Sequence, residues 1–137
     1  MESGIAFAAL DPEIEDRFLS LRRQLGVSSF GINQIRLRPG ERGRIHLHHQ
    51  QEEVYLVLAG ILTLWVEGER HELEPGALAR VAPNVRRQLA NPHRQDVLIL
   101  ALGGANEHVG RDGEAFESWD AAGAPPQEIP LPADEPV

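Results

Sequence analysis

Between residues 29 and 102 the chain runs as short apolar stretches broken by Gly, Pro and Asn, and no helical period of useful length appears. This punctuation predicts strands over 30–38, 44–48, 53–58, 61–66, 69–73, 78–81, 86–90 and 97–102. The longest apolar run, from Val54 to Val66, is interrupted at Gly60 and Thr63 and reads as two buried strands joined at Ala59 and Gly60. Glu67 and Gly68 mark a hairpin turn between LTLW and ERHEL. Eight strands in one domain imply an all-β sandwich or jelly-roll barrel.

The flanks follow other patterns. Asp11 is an N-cap candidate, Pro12 suits a first helical position, and Ile14, Phe18, Leu21 and Leu25 form one stripe ended by Gly26. An N-terminal amphipathic helix over 11–26 is expected, packed on the outside of the domain. A short helical turn is expected around 114–119, started by Asp112, with Phe116 and Trp119 capping the core. From Ala121 onward Pro and acidic residues predict an extended or mobile tail. The organisation is thus an N-terminal segment with a helix over 1–28, a barrel over 29–102, and a capping segment with tail over 103–137.

Composition narrows the chemistry. At 137 residues one core is expected, and 42% hydrophobic with 25% charged residues describe a globular chain. A net charge of −8, with arginines scattered along the chain, opposes nucleic acid and anionic membrane as partners. There is no cysteine, so a metal must be held by nitrogen and oxygen. All 13 basic residues are arginine, which excludes a Schiff-base lysine and a lysine-bearing phosphate loop. The opening MESGIAFAAL carries Glu2 and no basic region before its apolar stretch, so a cytoplasmic location is expected. The apolar run ending at Val66 is too short to span a bilayer.

The informative stretch is PGERGRIHLHHQQEEVYLVLAG. His46 and His48 are two apart on a predicted strand and share a face, as two ligands of one ion must. On the next strand Glu53 alternates with Tyr55 and Val57, and Glu52 with Val54 and Leu56, so only one glutamate can face the histidines. Two imidazoles and a carboxylate leave open positions on a divalent transition metal such as Fe, Mn, Zn or Ni. By the same alternation Arg44 and Tyr55 reach the pocket wall or mouth. Trp65 is expected in the core.

The run resembles the first motif of the cupin family: Gly, five residues, His-x-His, three or four residues, Glu, six residues, Gly. Gly40, His46, His48, Glu53 and Gly60 occupy those positions, and the match selects Glu53 as the ligand. The second motif is altered. Gly76 and Asn91 keep their spacing, while Ala82 stands for Pro, Asn84 for Gly and Arg87 for the fourth ligand, a His. Asn84 can adopt the left-handed turn conformation. Arg87 has no lone pair to offer a metal. The resemblance implies a double-stranded β-helix, a homodimer associated through its sheets, and chemistry among dioxygenases, isomerases and decarboxylases.

Arg87 leaves two alternatives open. In one, His46, His48 and Glu53 hold the ion as a metal-dependent enzyme, while Arg87, with Tyr55 and Arg44, binds a small anionic substrate. In the other, Arg87 pairs with Glu53 and replaces the metal's charge in a non-catalytic barrel that binds or senses a small ligand. His93 lies six residues beyond Arg87, roughly 20 Å along an extended strand, and is not expected to substitute. His49, His71 and His108 are expected on the surface, as are Arg36, Arg38, Arg42 and Arg80, for which an anion path is the alternative.

Overall fold

In the computed structural model, which describes residues 4–104 and 112–137, strands dominate. In chain order they are β1 (Phe18–Ser20), helix α1 (Leu21–Leu25), β2 (Gly31–Leu37), β3 (Ile45–His48), β4 (Glu52–Ala59), β5 (Leu62–Val66), β6 (Glu69–Leu73), β7 (Leu78–Val81), β8 (Arg87–Ala90), β9 (Val97–Gly104) and β10 (Gly113–Phe116). A 3₁₀ turn follows at Pro126–Glu128. Two antiparallel five-stranded sheets result, ordered β1-β2-β9-β4-β7 and β10-β3-β8-β5-β6. This is the all-β jelly roll, with sheets facing each other but not closed by hydrogen bonds into one ring. All eight expected strands are present.

Alternation along the strands builds the core. Ile35 and Leu37 on β2, Tyr55 and Val57 on β4, Leu62 and Leu64 on β5, Leu89 on β8, and Val97 and Ile99 on β9 meet between the sheets. Trp65 falls on the opposite parity from Leu62 and Leu64, so it lies partly exposed on the outer face, with Arg70 over its ring, and not in the core as expected. Two turns carry the positive φ that their sequences announce. Glu67 and Gly68 have φ of 50° and 81°, matching the twist of the β5–β6 hairpin. Asn84 has φ of 63°, and its N–H donates to the carbonyl of His48, tying the entry of β8 to the end of β3.

The flanks correct the sequence reading. The helix expected over 11–26 is helical only at Leu21–Leu25, capped by the Ser20 hydroxyl and ended by left-handed Gly26. Tertiary bonds claim the rest: Phe18–Ser20 pairs with β2, Gln34 brackets the backbone of Asp11, and buried Arg36 donates to the carbonyl of Pro12. Arg36 is therefore structural and not the surface residue expected. Likewise the helical turn expected at 114–119 begins as β10, paired with β3, though Phe116 does pack with Ile45 and Leu47 beneath Trp119. The tail is extended as expected, but bound. Arg44 donates to the carbonyl of Ile129, Arg42 to that of Ala133, and the Glu135 N–H to that of Gly40. Proline-rich backbone offers few donors, so arginine side chains fasten it through its carbonyls.

Candidate metal centre

Strand β3 alternates cleanly: Ile45 and Leu47 turn outward under Phe116, which leaves His46 and His48 facing the interior. Glu53 comes from β4 in the opposite sheet, so the site bridges the two layers. Glu52, of the other parity, is exposed and paired with Arg80 at 2.6 Å. That division settles which glutamate meets the histidines. Arg87 on β8 lies opposite His46 in the ladder.

One oxygen of Glu53 is the hub. Its Oε1 stands 3.9 Å from His46 Nε2, 3.7 Å from His48 Nε2 and 3.5 Å from Arg87 Nη2, and it accepts a hydrogen bond from the Tyr55 hydroxyl. The ligand atoms of His46, His48 and Glu53 all lie within 4.8 Å of one another. His46 Nδ1 is 3.1 Å from the carbonyl oxygen of Arg44. A carbonyl only accepts, so Nδ1 carries a proton, and in the neutral ring Nε2 is the atom left with a lone pair for a metal.

Charge states favour cation binding. Burial lowers the pKa of His48, an effect that the charge of Glu53 opposes in part, and the imidazole is neutral at pH 7. Burial pushes Glu53 upward, but the adjoining His46 and His48, whose protonated rings favour the carboxylate, and the Tyr55 hydroxyl outweigh it and hold the carboxyl at about 2. Tyr55 is raised well above its usual value by burial and by the charge of Glu53, so it stays protonated as a donor. Two imidazole nitrogens and a carboxylate form a donor set that suits a divalent transition metal.

The structure places the remaining sequence candidates unequally. A cavity of about 620 Å³ is lined by His46, His48, Glu53, Tyr55, Arg44 and, from the tail, Leu131. Arg44 thus reaches the wall, with its Nε committed to Ile129. Arg87 is not on that wall. It is fully buried behind Glu53, with Nη1 donating to the Val85 carbonyl at 2.8 Å. His93 pairs with Glu72 at 2.8 Å, far from any ligand role, and half-exposed His49 meets Glu114 at 3.1 Å. His71 is exposed as expected, and His108 lies outside the described residues. Sequence reasoning missed Leu131 and Pro126, both on the cavity wall. No motif marks them, because backbone bonds from the tail to Arg44 and Ala115 bring them there.

Comparison with known proteins agrees with this geometry. The crystal structure of a cupin protein from Bacteroides fragilis superposes with a TM-score of 0.66 at 22% identity, covering 76% of this chain and 86% of that one. A sugar phosphate isomerase of the cupin superfamily from Silicibacter pomeroyi gives 0.63 at 25% identity, over 85% and 80%. A predicted oxalate decarboxylase from Thermotoga maritima gives 0.53 at 20%, over 55% and 65%. No curated relative matches the sequence. The family model described as a cupin domain matches residues 33–103, just over half of the chain, from mid-β2 to the end of β9. That span contains both sheets' central strands and every residue of the His-His-Glu cluster, and on it the chain belongs to the cupin family.

Proposed function

We propose that the protein holds a divalent transition metal through His46 Nε2, His48 Nε2 and the Glu53 carboxylate, and acts as a metal-dependent enzyme on a small anionic molecule in the adjoining cavity. The observation that carries this reading is the convergence of three donor atoms with the proton of His46 fixed on the far side of its ring. A bound metal would polarise a carbonyl or carboxylate oxygen of the substrate. Arg44 on the wall supplies positive charge to orient an anion, and Leu131 covers the apolar side. The isomerase and decarboxylase among the neighbours bear names that imply anionic substrates, which is consistent with this class.

A second reading has an observation of its own. The buried guanidinium of Arg87, 3.5 Å from Glu53, supplies a positive charge where a metal would. On that reading the barrel is a metal-free binding or sensing module. Elemental analysis after loading with Zn²⁺ and desalting separates the two. One metal per chain is expected in wild type and less than a tenth of that, roughly, in Glu53→Ala. A wild-type protein that retains no stoichiometric metal sinks the first reading.

We further propose a homodimer. The outer face of the first sheet carries the rows Ile32–Leu102–Val54 and Leu100–Leu56–Leu78, and Leu78 is 66% exposed. Strands apolar on both faces are those that sheets bury on both sides.

A further inference from the structure

Glu53 stands between two sets of partners at nearly equal distances. One set is the two imidazoles, at 3.7 and 3.9 Å; the other is Arg87, at 3.5 Å. The arginine is incompletely satisfied. Its guanidinium is sealed from solvent, Nη1 is committed to Val85, and Nε and Nη2 have no hydrogen-bond partner among the described residues. Buried N–H groups without an acceptor are costly, most of all on a cation. A charge-assisted N–H···O bond closes at about 2.7–2.9 Å, so a shift of well under 1 Å in the carboxylate would make one. Beside this pair stands the Tyr55 hydroxyl. It comes from two residues along the same strand, is fully buried, and donates to the same oxygen.

We propose that Glu53 is a two-position ligand, resting on the metal reading above: it faces His46 and His48 when a metal is bound and closes onto Arg87 when the metal leaves. Tyr55 is the positioning residue that sets the balance. A neutral donor orients the carboxylate without cancelling its charge, whereas the guanidinium competes with a cation for it. Arg87 in the usual fourth-ligand position is then a built-in counter-ion that keeps the empty site from stranding a buried carboxylate. The site releases its metal more readily than a four-ligand site would.

The test is a double-mutant cycle with four full-length proteins: wild type, Tyr55→Phe, Arg87→Met and the pair. Zn²⁺ affinity is read by isothermal titration, with folding checked by circular dichroism. Tyr55→Phe is expected to weaken Zn²⁺ about tenfold by releasing Glu53 to Arg87, and Arg87→Met to tighten it about tenfold. With Met at position 87 there is no competitor, so the added Tyr55→Phe change is expected to alter affinity less than twofold. Equal effects of Tyr55→Phe in both backgrounds overturn the two-position ligand while leaving the metal site standing. Zn²⁺ binding to none of the four overturns both. In wild type alone, the Arg87 side-chain Nε–H resonance, assigned against Arg87→Lys, is expected to exchange with solvent faster once Zn²⁺ is added. An unchanged exchange rate counts against the proposal even if Arg87→Met does not fold.

Discussion

Three glycines of the cupin motifs share a left-handed backbone yet differ in what surrounds them, which makes Gly76→Ala, Gly40→Ala and Gly60→Ala a graded test of the fold. Their φ values are 90°, 85° and 73°. Each alanine therefore carries the same conformational cost, about 1–2 kcal/mol. At Gly76 a Cβ meets nothing within 4 Å, so that cost is the whole effect. At Gly40 the Cβ would lie 2.6 Å from the Glu135 carbonyl oxygen. The tail there is half-exposed and can lift, at the loss of the Glu135–Gly40 hydrogen bond, for a total of about 2–3 kcal/mol. At Gly60 the Cβ would fall 2.2 Å from the Asp96 carbonyl oxygen and 3.0 Å from Val97 Cα. That backbone leads directly into β9, whose Val97 is wholly buried, and it cannot retreat without moving the central strand. Overpacking adds about 1–3 kcal/mol, giving about 2–5 in all. Urea unfolding followed by circular dichroism, with unchanged slopes, is expected to rank the midpoints Gly76→Ala, Gly40→Ala, Gly60→Ala from highest to lowest. A Gly76→Ala midpoint at or below that of Gly60→Ala would refute the reasoning.

Two further outcomes follow from the site and the outer face. Glu53 has a folded pKa of about 2 against an ordinary 4.5, so its ionised form stabilises the fold above pH 4.5 and that contribution is lost as pH falls toward 2. The shift corresponds to about 3 kcal/mol, so the stability gap between metal-free wild type and Glu53→Gln is expected to be widest above pH 5 and to narrow through this window, read by urea titrations at each pH; a gap constant from pH 6 to 2.5 would contradict it. Leu78→Arg, at a position 66% exposed in the single chain, is expected to leave thermal stability within about 0.5 kcal/mol while converting a dimer to a monomer in light scattering. A dimer of unchanged mass would show that association uses another surface.

The barrel was legible because its strands are short and their parity is strict. One-residue alternation predicted that only one of Glu52 and Glu53 would meet the histidines, the resemblance to the cupin motif selected Glu53, and exposed Glu52 with its Arg80 partner shows the same rule from the other side. The helix over 11–26 was misread for a physical reason: its apolar stripe has helical spacing, but Gln34 and Arg36 on β2 offer hydrogen bonds to the passing backbone. Those long-range partners, 23 or more residues away, outweigh local propensity and hold the chain extended. The tail was opaque for a similar reason. Nothing local in AAGAPPQEIPLPADEPV reports that Arg42 and Arg44 will fasten its carbonyls, or that Leu131 will wall the cavity.

The role of Arg87 turns on charge. In the neutral form of both imidazoles that metal binding requires, Glu53 and Arg87 cancel, and the site before the ion enters is electrically balanced despite its burial. A divalent ion added to that balanced set leaves an excess of two positive charges, which a partly buried pocket tolerates poorly. In a site with a fourth histidine the excess would be one, because the arginine's charge would be absent. The excess must be met from the open side, where the wall's Arg17, Arg38 and Arg44 are balanced by Glu15, Asp16 and Glu41, so the wall supplies no net negative charge of its own. The physical requirement thus falls on the ligand: a molecule that brings one or two negative charges neutralises the loaded site, whereas a neutral one does not. On the proposed metal reading, an arginine that cannot bind metal thereby favours an anion beside it.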